Sequence, residues 1–232
     1  MPPRSTPPAT ANISSENLTI SGGIAIFHLA TARVVLCYHT RDKYHFLPKG
    51  RKNVHEDILN AAEREGYEES GYRNRVLALP IEHGQTEDEE ASEKERAFVK
   101  EPLWTQMVPL RAGSKRQYLL FWFVGETVPV DVELWAEGDS RSGYKPPPPF
   151  PVDLTIRERI EMESVVDEEG KRRVYEPVRH EGTGVDEEEA LYASELVPVE
   201  EAVTKLKGSL MADVVKRGWE AIQLKIKMED GR

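Results

Sequence analysis

A chain of 232 residues is long enough for one sizeable core, and with 39% hydrophobic and 31% charged residues it is more polar than an average globular domain, so some segments are expected to stay unpacked. The formal net charge of -10 argues against a protein that coats long nucleic acids or anionic membranes through bulk electrostatics, so any polyanion must meet a local basic patch. A single cysteine, Cys37, excludes an internal disulfide and a cysteine-based zinc cluster, and within ARVVLCYH it reads as a buried core thiol.

Residues 1–15 hold four prolines among small and polar residues and read as a flexible tail, leaving 16–232 as one domain with insertions. The tail has no apolar stretch of secretory length, and the longest apolar run, YLLFWFV at 118–124, is too short to span a bilayer. The expected location is cytoplasmic, with the nucleus as the alternative. Dense β-branched and aromatic residues predict strands in LTISGGIAIFHLA (18–30) and ARVVLCY (32–38), joined as a hairpin near Thr31. A short strand around Tyr44–Leu47 precedes a loop marked by Pro48 and Gly50. Asn53 with Glu56 three residues on predicts a helix N-terminus, and Gly71 the stop after a helix ending near Ser70.

YRNRVLALP is the next strand candidate. Residues 82–101, with eight acidic and three basic side chains and no apolar period, read as a solvated loop or frayed helix. PLWTQMVPL and KRQYLLFWFVGE predict two more strands, the second central because it is apolar on both faces. The stretch from about Ala136 to Gly184, with its proline run at 146–149, reads as a polar insertion or lid. The proline run would be a stiff spacer and a weak motif for a protein partner. ALYASELVPVEEAVTKL then predicts a strand leading to a helix, and SLMADVVKRGWEAIQLKIK an amphipathic terminal helix packed on the core.

The first helix carries an unusual edge. At about 100° per residue Glu65 and Glu69 are nearly aligned and Glu68 lies on the adjoining flank, so three carboxylates share one side. Like charges held together need cations, and an oxygen-rich cluster suits Mg²⁺, or Mn²⁺, rather than zinc. Ala61, Ala62 and Gly66 beside this edge allow close approach to a sheet or ligand, and Arg64 is placed to pair with Glu68 or Glu56 and hold a carboxylate in one orientation. On charge alone a solvated Glu-rich surface helix is the better account of the pattern, since most acidic runs do no chemistry.

The spacing is more specific than the charge. Gly50, Glu56, Arg64, Glu65, Glu68, Glu69 and Gly71 resemble the signature of the Nudix hydrolase superfamily at its seven fixed positions. The likeness covers about residues 18–78, with an echo in ELVPVEEAVTKL, and departs at Gly66, where the family usually has an aliphatic residue. The resemblance implies an α/β/α sandwich with a mixed sheet between helices, and hydrolysis of a nucleoside-diphosphate-like linkage. It implies Glu65, Glu68 and Glu69 as metal ligands and catalytic groups with Arg64, Glu56 as an additional or water-mediated ligand, and the Lys49 carbonyl as a further one. The general base would be a helix glutamate or one of Glu187, Glu188 and Glu189.

Arg41, Lys43, Lys49, Arg51 and Lys52 set five positive charges against Asp42 within twelve residues, a patch suited to a small polyphosphorylated substrate, with Tyr44 available to stack on a base. A loop pairing with the acidic segment 82–101 accounts for the same charges. LPKG and the SGG strand resemble the branch acting on dinucleoside polyphosphates or diphosphoinositol polyphosphates. An mRNA-decapping or ADP-ribose-type hydrolase and a non-catalytic Nudix-fold binding module are the competing readings.

Overall fold

The order of strands follows from which segments are apolar on both faces. β1 (Leu18–His28) is buried from Ser21 onward, and β7 (Gln117–Thr127) is buried over its last half, so both lie inside the sheet. They pair in parallel along ten residues, from Leu18 opposite Gln117 to Phe27 opposite Glu126. On the other side of β1, the antiparallel β2 (Arg33–His39) follows a one-turn connection over Leu29–Thr31, with Ala32 left-handed. The computed structural model describes residues 5–8, 10–86, 88–110, 113–137, 144–166 and 169–231. Residues 1–4 and 9 of the expected tail, 87 of the acidic segment, and 138–143 and 167–168 of the expected insertion lie outside the described residues.

Among the described residues the main sheet has eight strands, in the order β10 (Tyr192–Pro198), β2, β1, β7, β5 (Asn74–Val76). β3 (Tyr44–Phe46) adds to β2, β4 (Lys49–Arg51) to β1, and β6 (Trp104–Pro109) to β7. The sheet is therefore mixed, and β7 is central as its sequence predicts. Helices cover both faces. α1 (Ile58–Ser70) packs on a cluster of Ile24, Ile26, Val35, Val76 and Phe123. On the other face α5 (Val199–Lys205) and α6 (Leu210–Asp230) bury Phe27, Leu36, Trp122, Val214 and Ile222. The terminal amphipathic helix thus closes the core. No helix among the described residues is long and apolar enough to cross a membrane.

Two local expectations change, and a third, a solvated loop or frayed helix over 82–101, gains detail. Lys49–Arg51, read as loop, is a strand because it pairs with Ser21–Gly23 of β1, a contact distant in sequence. The helix begins later than Asn53: Asp57 is its cap, with its carboxylate accepting from the Leu59 N–H at 2.8 Å. Asn53 and Glu56 do bond, Asn53 N–H to Glu56 Oε2 at 2.7 Å, but in a separate turn before the helix. The acidic segment contains a short helix, α2 (Glu93–Ala97), started by a Ser92–Glu95 capping box.

The stretch expected to be a polar lid supplies buried anchors. Between α3 (Val130–Glu137) and a two-stranded sheet of β8 (Ser164–Val166) and β9 (Arg172–Val174), Phe150 and Ile156 join the core, and α4 (Ile156–Met162) carries Arg159 into the interior. There Arg159 lies 2.9 Å from Glu126 and 2.9 Å from Glu163, both buried, and donates to the Thr127 carbonyl at 2.9 Å. Arg75 meets the other oxygen of Glu126 at 2.6 Å. Burial alone would raise the Glu163 carboxyl, but its bonds to His28 and Arg159 hold it below the usual range.

Candidate metal centre

Small residues bring α1 onto the sheet. A Cβ on Gly22 of β1 would lie 2.7 Å from the Ala62 backbone nitrogen, so the helix crosses the strand where the strand has no side chain. Gly66 serves the same approach from the helix. A Cβ there would lie 2.6 Å from Asn74 Nδ2 and 2.9 Å from Ile24 Cγ2. The departure from the family pattern is thus a matter of packing, since Asn74 fills the space and donates to the carbonyls of Glu63 and Tyr72.

The buried face of α1 includes Glu65 and Glu69, and each meets β4. Gly50 lies directly beneath the Glu65 carboxylate, where an added Cβ would fall 1.9–2.4 Å from its atoms. The Lys49 N–H donates to Glu69 Oε2 at 2.7 Å. Alternation along the strand turns the Lys49 side chain to the opposite face. There it lines a cavity of about 520 Å³ with Tyr118, Leu120, Trp122, Met211 and the start of α6 at Ser209.

Arg64 gathers the remaining acids. Its guanidinium donates to both oxygens of Glu56, at 2.8 and 3.0 Å, to Glu65 at 2.8 Å, to Glu68 at 2.5 Å, and to the Arg51 carbonyl at 2.8 Å. Glu65, Glu69 and Glu189 converge, with one oxygen of each within 4.8 Å of the others. Glu56 and Glu68 stand beside this trio as partners of Arg64.

Glu189 arrives on a segment stitched to the end of α1. Gly71, left-handed at φ 77°, ends the helix, and its carbonyl accepts from the His180 N–H at 2.9 Å. Thr183 Oγ1 donates to the Glu68 carbonyl at 2.9 Å, and the Val185 N–H holds Glu189 Oε2 at 2.6 Å. Of the acidic run, Glu187 is exposed, and Glu188 turns away to His39 and Arg41.

Burial makes this cluster costly in its ionised form. It pushes Glu65 up to about 7 against the pull of Arg64, and Glu69 up to about 8 against that of Lys49. Glu68 is raised from the same cause. Three hard oxygen donors, two of them buried and mutually repelling, fit Mg²⁺ or Mn²⁺.

The basic patch divides. Arg41 bonds both oxygens of Glu188, at 2.9 and 3.0 Å, and Asp42, so its partner is the acidic run at 186–189 and not the segment 82–101. Lys43 and Arg51 are exposed, and Lys52 reaches the Asn53 carbonyl at 3.0 Å. Tyr44 is exposed, stacked on His39 at 5.2 Å and tilted against Phe46. Sequence reasoning missed Tyr192, whose phenol is pushed up by burial and by Glu69, and the cavity residues Tyr118, Trp122 and Met211. Strand and helix patterns mark these as core and carry no signal of a cavity.

No protein-family model matches the chain, and no curated protein matches it. Among solved structures it is similar to a NUDIX hydrolase from Nitrosomonas europaea, with 18% identity and TM-score 0.33, over 62% of this chain and 78% of that one. A NUDIX-family hydrolase from Clostridium perfringens is similar at 15% identity and TM-score 0.40, over 91% and 99%. C. elegans Ap4A hydrolase is similar at 12% identity and TM-score 0.36, over 91% and 97%. These likenesses are remote, and the reading of the site stands on its own residues.

Proposed function

We infer that the protein is a Nudix-type pyrophosphohydrolase that uses a divalent cation to cleave a phosphoanhydride in a nucleoside-diphosphate-like substrate. The observation that carries this reading is the convergence of Glu65, Glu69 and Glu189, the first two on α1, which bears four of the seven signature residues. These three would hold Mg²⁺ or Mn²⁺, which when bound supplies charge neutralisation on the phosphates and acidifies a water. Arg64 fixes the Glu65 and Glu68 carboxylates, and the Lys49 N–H fixes Glu69. The proton of the attacking water passes to a carboxylate of the trio.

The substrate we propose is a dinucleoside polyphosphate. Among the described residues the cavity across β4 offers Tyr118 and Trp122 with one cationic side chain, Lys49, a lining suited to a nucleobase joined to phosphate. A diphosphoinositol polyphosphate carries charge around its whole ring and calls for several cations there. Lys43, Arg51 and Lys52 lie within the same basic stretch as Lys49 and would draw the polyphosphate in.

The test is a Mg²⁺-dependent hydrolysis screen over dinucleoside polyphosphates, diphosphoinositol polyphosphates, ADP-ribose and capped RNA, run beside Glu69→Gln. Turnover of a dinucleoside polyphosphate that collapses in the variant supports the reading. Equal rates in both proteins, or tight binding without turnover, overturn it, the latter in favour of a binding module.

A further inference from the structure

The geometry points to His39 as a positioning residue that sets Glu189 in the metal centre by gripping its neighbour Glu188; this rests on the reading of that centre given above. His39 ends β2, buried between the rings of Tyr44 and Tyr192, at 5.2 and 5.4 Å. Its Nδ1 accepts from the Asp42 N–H at 3.0 Å, which leaves Nε2 to carry the ring proton. That Nε2–H faces Glu188 Oε1 at 2.8 Å. The rest of the carboxylate is taken by Arg41, which bonds both oxygens.

The segment is held again three residues on, where Thr40 donates to the Leu191 carbonyl through its N–H at 3.0 Å and its hydroxyl at 2.7 Å. Within it, the Asp186 carboxylate accepts from the N–H groups of Glu188 and Glu189, both at 2.9 Å. Adjacent side chains on so tight a turn diverge. With Glu188 drawn to the end of β2, Glu189 is directed to Glu65 and Glu69 on α1. His39, Asp42 and Glu188 are themselves close enough to share an ion, but Arg41 already covers both oxygens of Glu188, so the group reads as a clasp.

The experiment measures Mn²⁺ binding by electron paramagnetic resonance, with kcat and KM for the best substrate of the screen. The proteins are the wild type, His39→Phe, His39→Gln, Glu188→Ala, Glu189→Gln, and His39→Phe combined with Glu189→Gln. His39→Phe is expected to weaken Mn²⁺ binding about tenfold, the lower end for a residue that orients a ligand. It should lower kcat with KM little changed, and have no further effect in the Glu189→Gln background. His39→Gln, which keeps an N–H within reach of Glu188, should recover part of the loss. Glu188→Ala, a change at an exposed side chain, should show the same loss of Mn²⁺ binding, and it carries the test should His39→Phe fold poorly.

Wild-type Mn²⁺ affinity in both His39→Phe and Glu188→Ala, with weaker binding in Glu189→Gln, overturns this inference alone. Losses that multiply in the double variant do the same. An ion lost in His39→Phe and kept in Glu189→Gln would lie at the clasp itself, which also refutes the inference. A wild type that binds no Mn²⁺ overturns this inference and the metal centre together.

Discussion

Gly50→Ala isolates the geometry of one carboxylate. The new Cβ would fall 1.9 Å from Glu65 Oε2 and 2.1 Å from its carboxyl carbon, so the carboxylate must retreat by roughly 1.5 Å to reach ordinary contact. Because the obstacle is the end of a flexible side chain, and Gly50 has no left-handed backbone to lose, folding should weaken by about 1 kcal/mol or less. A displacement of this size in a catalytic constellation costs about 10²-fold, or roughly 2.7 kcal/mol of transition-state stabilisation. The assay pairs calorimetric Mn²⁺ titration and kcat/KM with thermal unfolding. The control is Gly84→Ala, a site with no neighbouring atom within 4 Å. A Gly50→Ala protein that binds Mn²⁺ and turns over like the wild type would refute the placement of Glu65 in the site. A Tm loss of more than about 10 °C would move the effect from the site to the fold.

Arg159→Met should cost about 3–5 kcal/mol in chemical denaturation, because it leaves buried Glu163 with His28 and the Ala30 N–H but no full cation, and Glu126 with Arg75 alone; a loss under about 1 kcal/mol would show that the pair is dispensable. The folded carboxyls of Glu65 and Glu69 lie at about 7 and about 8, above the ordinary 4.5. In the metal-free protein the folded state therefore binds the extra protons, and stability falls as pH rises from about 4.5 through about 8. Saturating Mg²⁺ should flatten that slope in thermal unfolding, and Mn²⁺ should bind more tightly at pH 8 than at pH 6. Arg51→Ala with Lys52→Ala should raise KM for a dinucleoside polyphosphate several-fold while Mn²⁺ affinity stays unchanged, and an unaltered KM would remove these residues from the substrate path. Gly22→Ala should lower Tm markedly, since its Cβ meets the Ala62 backbone at 2.7 Å, and a wild-type Tm would contradict that close crossing.

The strands and the terminal helix could be read from the sequence because their apolar patterns are long: LTISGGIAIFH and QYLLFWFVGET are buried over most of their length in the sheet. The carboxylate edge was legible for a similar reason, since helical periodicity alone aligns Glu65 with Glu69. What stayed hidden depends on contacts distant in sequence. Lys49–Arg51 has no strand pattern of its own and is a strand only because Ser21–Gly23 pairs with it. The early helix start at Asn53 was a fair inference from a bond that does form, but Asp57 outcompetes it as the cap. Nothing in the local pattern distinguishes Glu189 from Glu187 and Glu188; Glu188 is held by His39 at the end of β2 and by Arg41 in the turn after it, both distant in sequence. Arg159 looks like one more surface charge in a polar helix until Glu126 and Glu163 are seen around it.

The stitching of residues 180–185 to the end of α1 bears on how tightly a cation is gripped. Through the His180 and Thr183 bonds to the carbonyls of Gly71 and Glu68, the chain leading to Glu189 is fastened to the same helix end that carries Glu69. An incoming ion then meets three oxygens whose relative freedom was surrendered when the protein folded, so little of its binding energy is diverted into ordering a loop. Any selectivity would gain as well, since a site that dilates little favours a small ion with short bonds over a larger one.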